Sequence, residues 1–205
     1  MIICGDVGMV LDGGFIDKRF IKNEYGNFPT DILWVDGNHD NHDLLKQYPV
    51  TKWNDGKVHE ITPRIRHLMR GEVFTLPDGR KLFAMGGARS LFTGGDYWWP
   101  EEVPNEQERK RAISNLKKHN YKIDLVITHD CPTSFLKRFR WYNEYVDVEF
   151  NDYLESLKNT IKFKHWFFGH HHKDESEGNL HCLYESIVEV TPDCLKTWVE
   201  GGISI

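Results

Sequence analysis

Asp31-Ile32-Leu33-Trp34-Val35-Asp36-Gly37-Asn38-His39-Asp40 is the stretch on which the reading of this chain turns. Ile32 to Val35 is a short, continuous apolar run, the pattern of a strand buried on both faces. Asp36-Gly37 is a turn signal that stops it. Asn38, His39 and Asp40 then stand together at the mouth of the strand. An amide oxygen, an imidazole and a carboxylate suit hard or borderline divalent metals and proton transfer. The same residues could also do no more than cap a following helix. The rest of the chain has to decide between the two.

Working outward, apolar runs with polar exits recur. Ile2-Ile3-Cys4 leads into Gly5-Asp6-Val7-Gly8, residues 123–128 lead into His129-Asp130-Cys131-Pro132, and Trp166-Phe167-Phe168 leads into Gly169-His170-His171-His172. Four buried strands thus deliver Asp6, Asn38 with His39, His129, and His170 with His172. Loops at strand ends are where ligands collect in layered α/β folds. If 170–172 is extended, His170 and His172 point the same way and His171 the other. A lone histidine after a strand is usually a loop or core residue, but four such exits with compatible ligands form a joint signal.

Between these strands, residues 15–25 predict a helix with Ile16, Phe20 and the stem of Lys22 inward, stopped at Gly26-Asn27. A short helix follows over 42–47. Residues 58–85 predict antiparallel structure: a strand within 61–69, then a hairpin of 73–76 and 81–85 about Pro77-Asp78-Gly79. Gly86-Gly87-Ala88-Arg89-Ser90 follows, then a loop with Gly94-Gly95 and Tyr97-Trp98-Trp99-Pro100. Residues 105–120 carry the clearest helix pattern, with Asn105 and Glu108 at capping-box spacing and Lys117-Lys118-His119 late. Residues 148–161 predict a second long helix with Tyr153, Leu154, Leu157 and Ile161 on one face. The tail, 180–198, reads as two or three closing strands.

Composition sets limits. A chain of 205 residues with 40% hydrophobic residues can bury one sizeable core, so a single domain over 1–205 is expected. The formal net charge of -5, with acids and bases interspersed, argues against a general nucleic-acid or membrane surface. Cys4, Cys131, Cys182 and Cys194 show no C-x-x-C spacing and fit reduced thiols of a cytoplasmic protein. No segment is long and apolar enough to span a membrane.

Taken in order, Gly5-Asp6, Gly37-Asn38-His39-Asp40, His129 after its strand, and Gly169-His170-x-His172 resemble the calcineurin-like metallophosphoesterases. The resemblance runs from residue 1 to about Ile187. Gly86-Gly87-Ala88 and Trp98-Trp99-Pro100-Glu101-Glu102 look like a small bacterial or phage-type branch. The implied fold is α/β (α+β), a β-sandwich of two mixed sheets flanked by helices, with metals at strand ends. By position, Asp6 resembles the carboxylate that bridges two metals. Asn38, His129 and His170 resemble the remaining ligands of the second metal, and His172 a ligand of the first. The implied cofactors are two divalent ions, and these ligands fit manganese, iron or zinc. Two such ions would clamp a phosphate and lower the pKa of a bridging water. His39 resembles the family's outer-sphere catalytic histidine. Arg89 and the Trp98-Trp99 loop could contact substrate; a loop stapled by its own tryptophans is the alternative.

The chain departs from the family pattern in two places. The family has an Asp-x-His ahead of the Gly-Asp, supplying two ligands to the first metal, and five residues precede Asp6 here. Asp40-Asn41-His42 has those letters but overlaps the Gly-Asn-His-Asp turn. Met9 stands where many relatives carry a carboxylate that orients the histidine. Either the record starts at an internal methionine or this is a variant with a weakened first metal site. An absent first strand would leave an open sheet edge beside Ile2-Ile3-Cys4, a route to oligomers.

Other chemistries fit less well. Cys131 lacks the arginine of a cysteine phosphatase, because Lys137 holds that position and Arg138 is out of register. Lys137, Arg138, Arg140, Trp141 and Tyr142 mix charge and aromatics as single-strand platforms do, but suit a solvated helix flank better. The expected function is therefore metal-dependent hydrolysis of a phosphomonoester or phosphodiester, with nucleic acid a partner only as substrate. The alternative is a degenerate one-metal member serving as a binding or regulatory module.

Overall fold

The computed structural model describes residues 1–95, 98–141, 148–199 and 202–204. Tyr97 and Tyr142, singled out above, lie outside the described residues. Two mixed sheets carry the architecture. The first contains β1 (Ile2–Ile3), β2 (Ile32–Trp34), β3 (Val50–Trp53), β4 (Gly56–Thr62) and β5 (Ile65–Leu68), in the order β1-β2-β5-β4-β3. The second contains β6 (Glu72–Thr75), β7 (Lys81–Met85), β8 (Leu125–Thr128), β9 (His165–Phe168), β10 (Glu175–Glu177) and β11 (Leu180–Cys182), in the order β10-β11-β9-β8-β7-β6. The tail adds a separate antiparallel sheet of β12 (Ile187–Val190), β13 (Leu195–Val199) and β14 (Gly202–Ser204).

Period-two alternation explains why the apolar runs are continuous: each strand has two faces to bury. Leu33 and Val35 face the second sheet and join Phe74, Leu82, Ala84, Leu125, Ile127 and Phe167 in the core between the sheets. Ile32 and Trp34 face the other way, with Met9, Val10, Leu45 and Ile65. On the far face of the second sheet, Phe83, Val126, Trp166 and Phe168 pack under three helices: α3 (Glu106–Lys118), α4 (Thr133–Arg138) and α5 (Val148–Thr160). This is a sandwich of two mixed sheets flanked by helices. Asn105 and Glu108 close a reciprocal capping box on α3.

The segment 15–25 differs from its prediction. It is α1 (Phe15–Arg19) followed by a π-helical turn, Phe20–Tyr25. Phe15, Ile16 and Phe20 are exposed, and so is Lys22. The reason is Asp17, which is buried because its carboxylate accepts from the backbone N–H groups of Leu11, Asp12 and Gly13 at 2.8–3.0 Å. Three amide donors claim the inward face for a carboxylate, so the neighbouring apolar side chains turn outward. A strand at Val50–Trp53 and the helix α4 were not anticipated. The short α2 (His42–Leu45) is N-capped by Asn41, whose side chain accepts from the Leu44 N–H.

Among the described residues, strand β1 pairs with β2 alone and forms one edge of the first sheet. No helix among the described residues is long and apolar enough to cross a membrane.

Candidate metal centre

The exits of β1 and β2 from one sheet and of β8 and β9 from the other converge. Ligand atoms of Asp6, His129 and His170 all lie within 4.8 Å of one another. Asp6 Oδ2 is 3.2 Å from His129 Nε2. Asn38 Oδ1 joins them, 3.2 Å from His129 Nε2 and 3.0 Å from His170 Nδ1. One carboxylate, one amide oxygen and two imidazole nitrogens form a donor set that fits a hard-to-borderline divalent ion. These four residues would hold it.

The approach is tight enough to require glycine at two points. A Cβ on Gly5 would lie 2.0 Å from His129 Nδ1, and one on Gly37 would lie 2.0 Å from Asp6 Oδ1. Gly5 also sits at φ +103°. Asp6 and His170 themselves adopt left-handed φ values of 52° and 65°, conformations that non-glycine residues hold only when the surroundings impose them.

The electrostatics follow from burial and mutual pairing. Burial by itself lowers the pKa of His129, but the adjacent Asp6 carboxylate and the Cys4 carbonyl override it and raise the group to about 9. Burial raises Asp6, and His129, the His39 N–H and the His39 ring together pull it well below the usual carboxylate range. Burial lowers His170 to about 4, so its ring is neutral at pH 7 and its lone pair is available.

The other predicted residues are placed differently. His39 is exposed, and its backbone N–H donates to Asp6 Oδ1 at 2.9 Å, which sets it at the rim of the cluster. Arg89 is exposed between buried Ala88 and Ser90. His172 is not brought in: it is exposed, at φ 50°, and stacks on Tyr184 with ring centroids 4.9 Å apart. The segment 170–172 is not extended, so the alternation expected of it does not apply. His171 instead reaches Asp130 Oδ1 at 3.0 Å and Cys131 Sγ at 3.4 Å. Cys131 is buried, and burial pushes its thiol well above the normal range, so it is no nucleophile. Asp40 and His42 both bond within the Gly37 turn, to its N–H and its carbonyl respectively.

Residues 1–174 match the sequence model of the calcineurin-like phosphoesterases. The chain belongs to that family. No curated protein matches the chain significantly. Membership brings the general chemistry of a metal-dependent phosphoesterase, and in this calcineurin-like phosphoesterase the four converging donors lie at strand ends on both sheets.

Two parts of the site were missed in the sequence. Asp130 and His171, next to His129 and His170, tie the β8 and β9 exits together. Ser90 and Glu102 were noted only within longer motifs; Ser90 Oγ accepts from the Asn38 side chain and donates to the Glu102 carboxylate. Adjacency to a ligand could have flagged the first pair; nothing periodic marks the second.

Proposed function

We propose that the chain hydrolyses a phosphomonoester or phosphodiester, with Asp6, Asn38, His129 and His170 holding a divalent ion and His39 moving protons beside it. The convergence of these four donors from four strand exits is the observation that carries this reading. A divalent ion bound there supplies Lewis acidity toward a phosphoryl oxygen and toward water. The chain's residues supply the rest. His129 gives its Nδ1 proton to a backbone carbonyl and keeps Nε2 for the ligand role. Asp6 contributes the negative charge that balances a cation. His39, at the rim, would protonate the leaving oxygen. Arg89 offers a guanidinium for the phosphate group. Manganese, iron and zinc all suit the donor set.

A second reading, a one-metal module that binds without turnover, is favoured by the exposed position of His172. The two are separated by assaying bis- and mono-p-nitrophenyl phosphate with added Mn²⁺, in the parent and in His39→Ala. The enzymatic reading expects metal-dependent hydrolysis that falls by about two to four orders of magnitude in His39→Ala with bound metal unchanged. Cation binding with no hydrolysis of either ester would favour the module.

A further inference from the structure

Asn38 can serve a cation only with its oxygen toward it, and the two ends of its amide are nearly the same shape. The orientation has to be imposed from behind. The Asn38 Nδ2 group donates to Ser90 Oγ at 3.0 Å, and Ser90 Oγ donates to Glu102 Oε2 at 2.6 Å. Glu102 Oε1 accepts from the Ser90 N–H at 2.8 Å and from Trp98 Nε1 at 3.3 Å. All three residues of the chain are buried, Asn38 and Glu102 at 3% exposure and Ser90 at 8%. The Glu102 backbone is held in turn, because its carbonyl accepts from Arg70 Nη2 at 3.0 Å.

A hydroxyl has a single proton. Ser90 gives it to Glu102, which as a carboxylate can only accept, so toward Asn38 Ser90 can only accept as well. That leaves the amide nitrogen as the end of Asn38 that fits, and turns Oδ1 to His129 and His170. We propose that Ser90 and Glu102 are positioning residues that fix the direction of this hydrogen-bond chain and so hold the Asn38 oxygen at the cation site. The inference rests on the assignment of Asp6, Asn38, His129 and His170 as metal ligands. It extends past them to residues that touch neither cation nor substrate.

The mechanism makes an unusual demand on double variants. In Glu102→Gln the new amide nitrogen replaces Oε2 and donates to Ser90 Oγ. The Ser90 proton then turns toward Asn38, favouring the flipped amide. In Asn38→Asp, two carboxylates compete for that one proton; adding Glu102→Gln supplies a donor on one side and lets Ser90 donate on the other. The same substitution should therefore hurt one background and help the other.

The experiment is Mn²⁺ titration by calorimetry, with thermal unfolding as a check on folding, for the parent, His170→Ala, Ser90→Ala, Glu102→Gln, Asn38→Asp and Asn38→Asp/Glu102→Gln. Glu102→Gln is expected to weaken Mn²⁺ binding about 10–100-fold, the range for outer-shell partners, and Ser90→Ala to weaken it toward the lower end. The double variant is expected to bind more tightly than Asn38→Asp. Unchanged affinity in Glu102→Gln, or equal weakening in both backgrounds, overturns the proposal while leaving the ligand assignment intact. A parent whose Mn²⁺ binding is absent, or survives His170→Ala, overturns the ligand assignment and this inference with it.

Discussion

The His129 Nδ1–H donates to the Cys4 carbonyl at 2.6 Å, joining the end of β8 in one sheet to the end of β1 in the other. The bond commits Nδ1 as a donor, so Nε2 is the atom that faces Asp6 and Asn38 and that a cation would take as ligand in place of its proton. It is possible only because Gly5 follows Cys4 and has no side chain.

Gly5→Ala should therefore damage the site in two ways. Its φ of +103° costs any L-residue about 1–3 kcal/mol, and its methyl would overlap the His129 ring. Gly79→Ala is the control, since Gly79 also has positive φ, at +85°, but nothing within 4 Å of an added Cβ. Urea unfolding should show both variants destabilised, and only Gly5→Ala should lose Mn²⁺ affinity, by tenfold or more. Equal metal binding in the two would mean that the His129–Cys4 contact does not matter to the site.

The central strands β2, β8 and β9 were legible because each is buried on two faces, which writes an uninterrupted apolar run such as Ile32 to Val35. The converging donors Asp6, Asn38, His129 and His170 were legible because they stand immediately at strand exits. The orientation of His172 was not, since a left-handed φ at His170 and His172 leaves no trace in the letters. Nor was the outward face of α1: its apolar residues suggested a core contact, and the three backbone donors that claim Asp17 are a tertiary fact. The Asn38–Ser90–Glu102 chain joins residues with no periodic relation, so only the fold brings it into view.

Asp36 and Arg70 form a buried ion pair, at 2% and 5% side-chain exposure, with Arg70 Nε donating at 2.8 Å. His67 Nε2 lies 2.9 Å from the other carboxylate oxygen. Burial alone would raise the pKa of Asp36, but Arg70 and then His67 hold it well below the usual range. Its stabilisation is present above the unfolded pKa near 4 and is lost as pH falls below that. Arg70→Leu leaves the charge uncompensated and should cost about 3–5 kcal/mol in urea unfolding. Asp36→Leu/Arg70→Leu should recover much of the loss. A double variant no better than Arg70→Leu would show that the pair is needed for more than charge balance.

His59 and His181 set a different pH window. Burial lowers both to about 4; the facing His67 adds to the effect on His59, and His165 to that on His181. The unfolded chain takes up these protons below about 6.5, whereas the folded chain resists until about 4. Folding stability contributed by the neutral rings is thus complete above 6.5 and drains away as pH falls toward 4. Asp40, raised to about 6 by burial, works in the opposite sense over part of the same range. The contribution of the two rings is isolated by comparing the parent with His59→Gln/His181→Gln at pH 7 and pH 5. The parent should lose more stability between these pH values than the double variant. Identical losses would place the acid sensitivity elsewhere.

The last prediction concerns the number of cations. Asp6, Asn38, His129 and His170 arrive from four strand exits and supply four donors to one site, enough for stable binding with water filling the remaining positions. A second ion sharing Asp6 would have His172 as its other donor by position in the family pattern, and that ring is exposed and stacked on Tyr184. Two donors rarely hold a divalent ion against water and chelators. The 205-residue chain should therefore carry close to one equivalent of metal after purification, with a second binding only at high added concentration. His170→Ala should empty the tight site, because it removes a nitrogen within 3.0 Å of the Asn38 oxygen. His172→Ala should leave that ion in place and alter only the weak second event. Elemental analysis of the parent and both variants, before and after dialysis against a chelator, reads the difference. Two tightly held ions in the parent, or equal loss from both variants, would require a ligand for the second ion beyond Asp6 and His172.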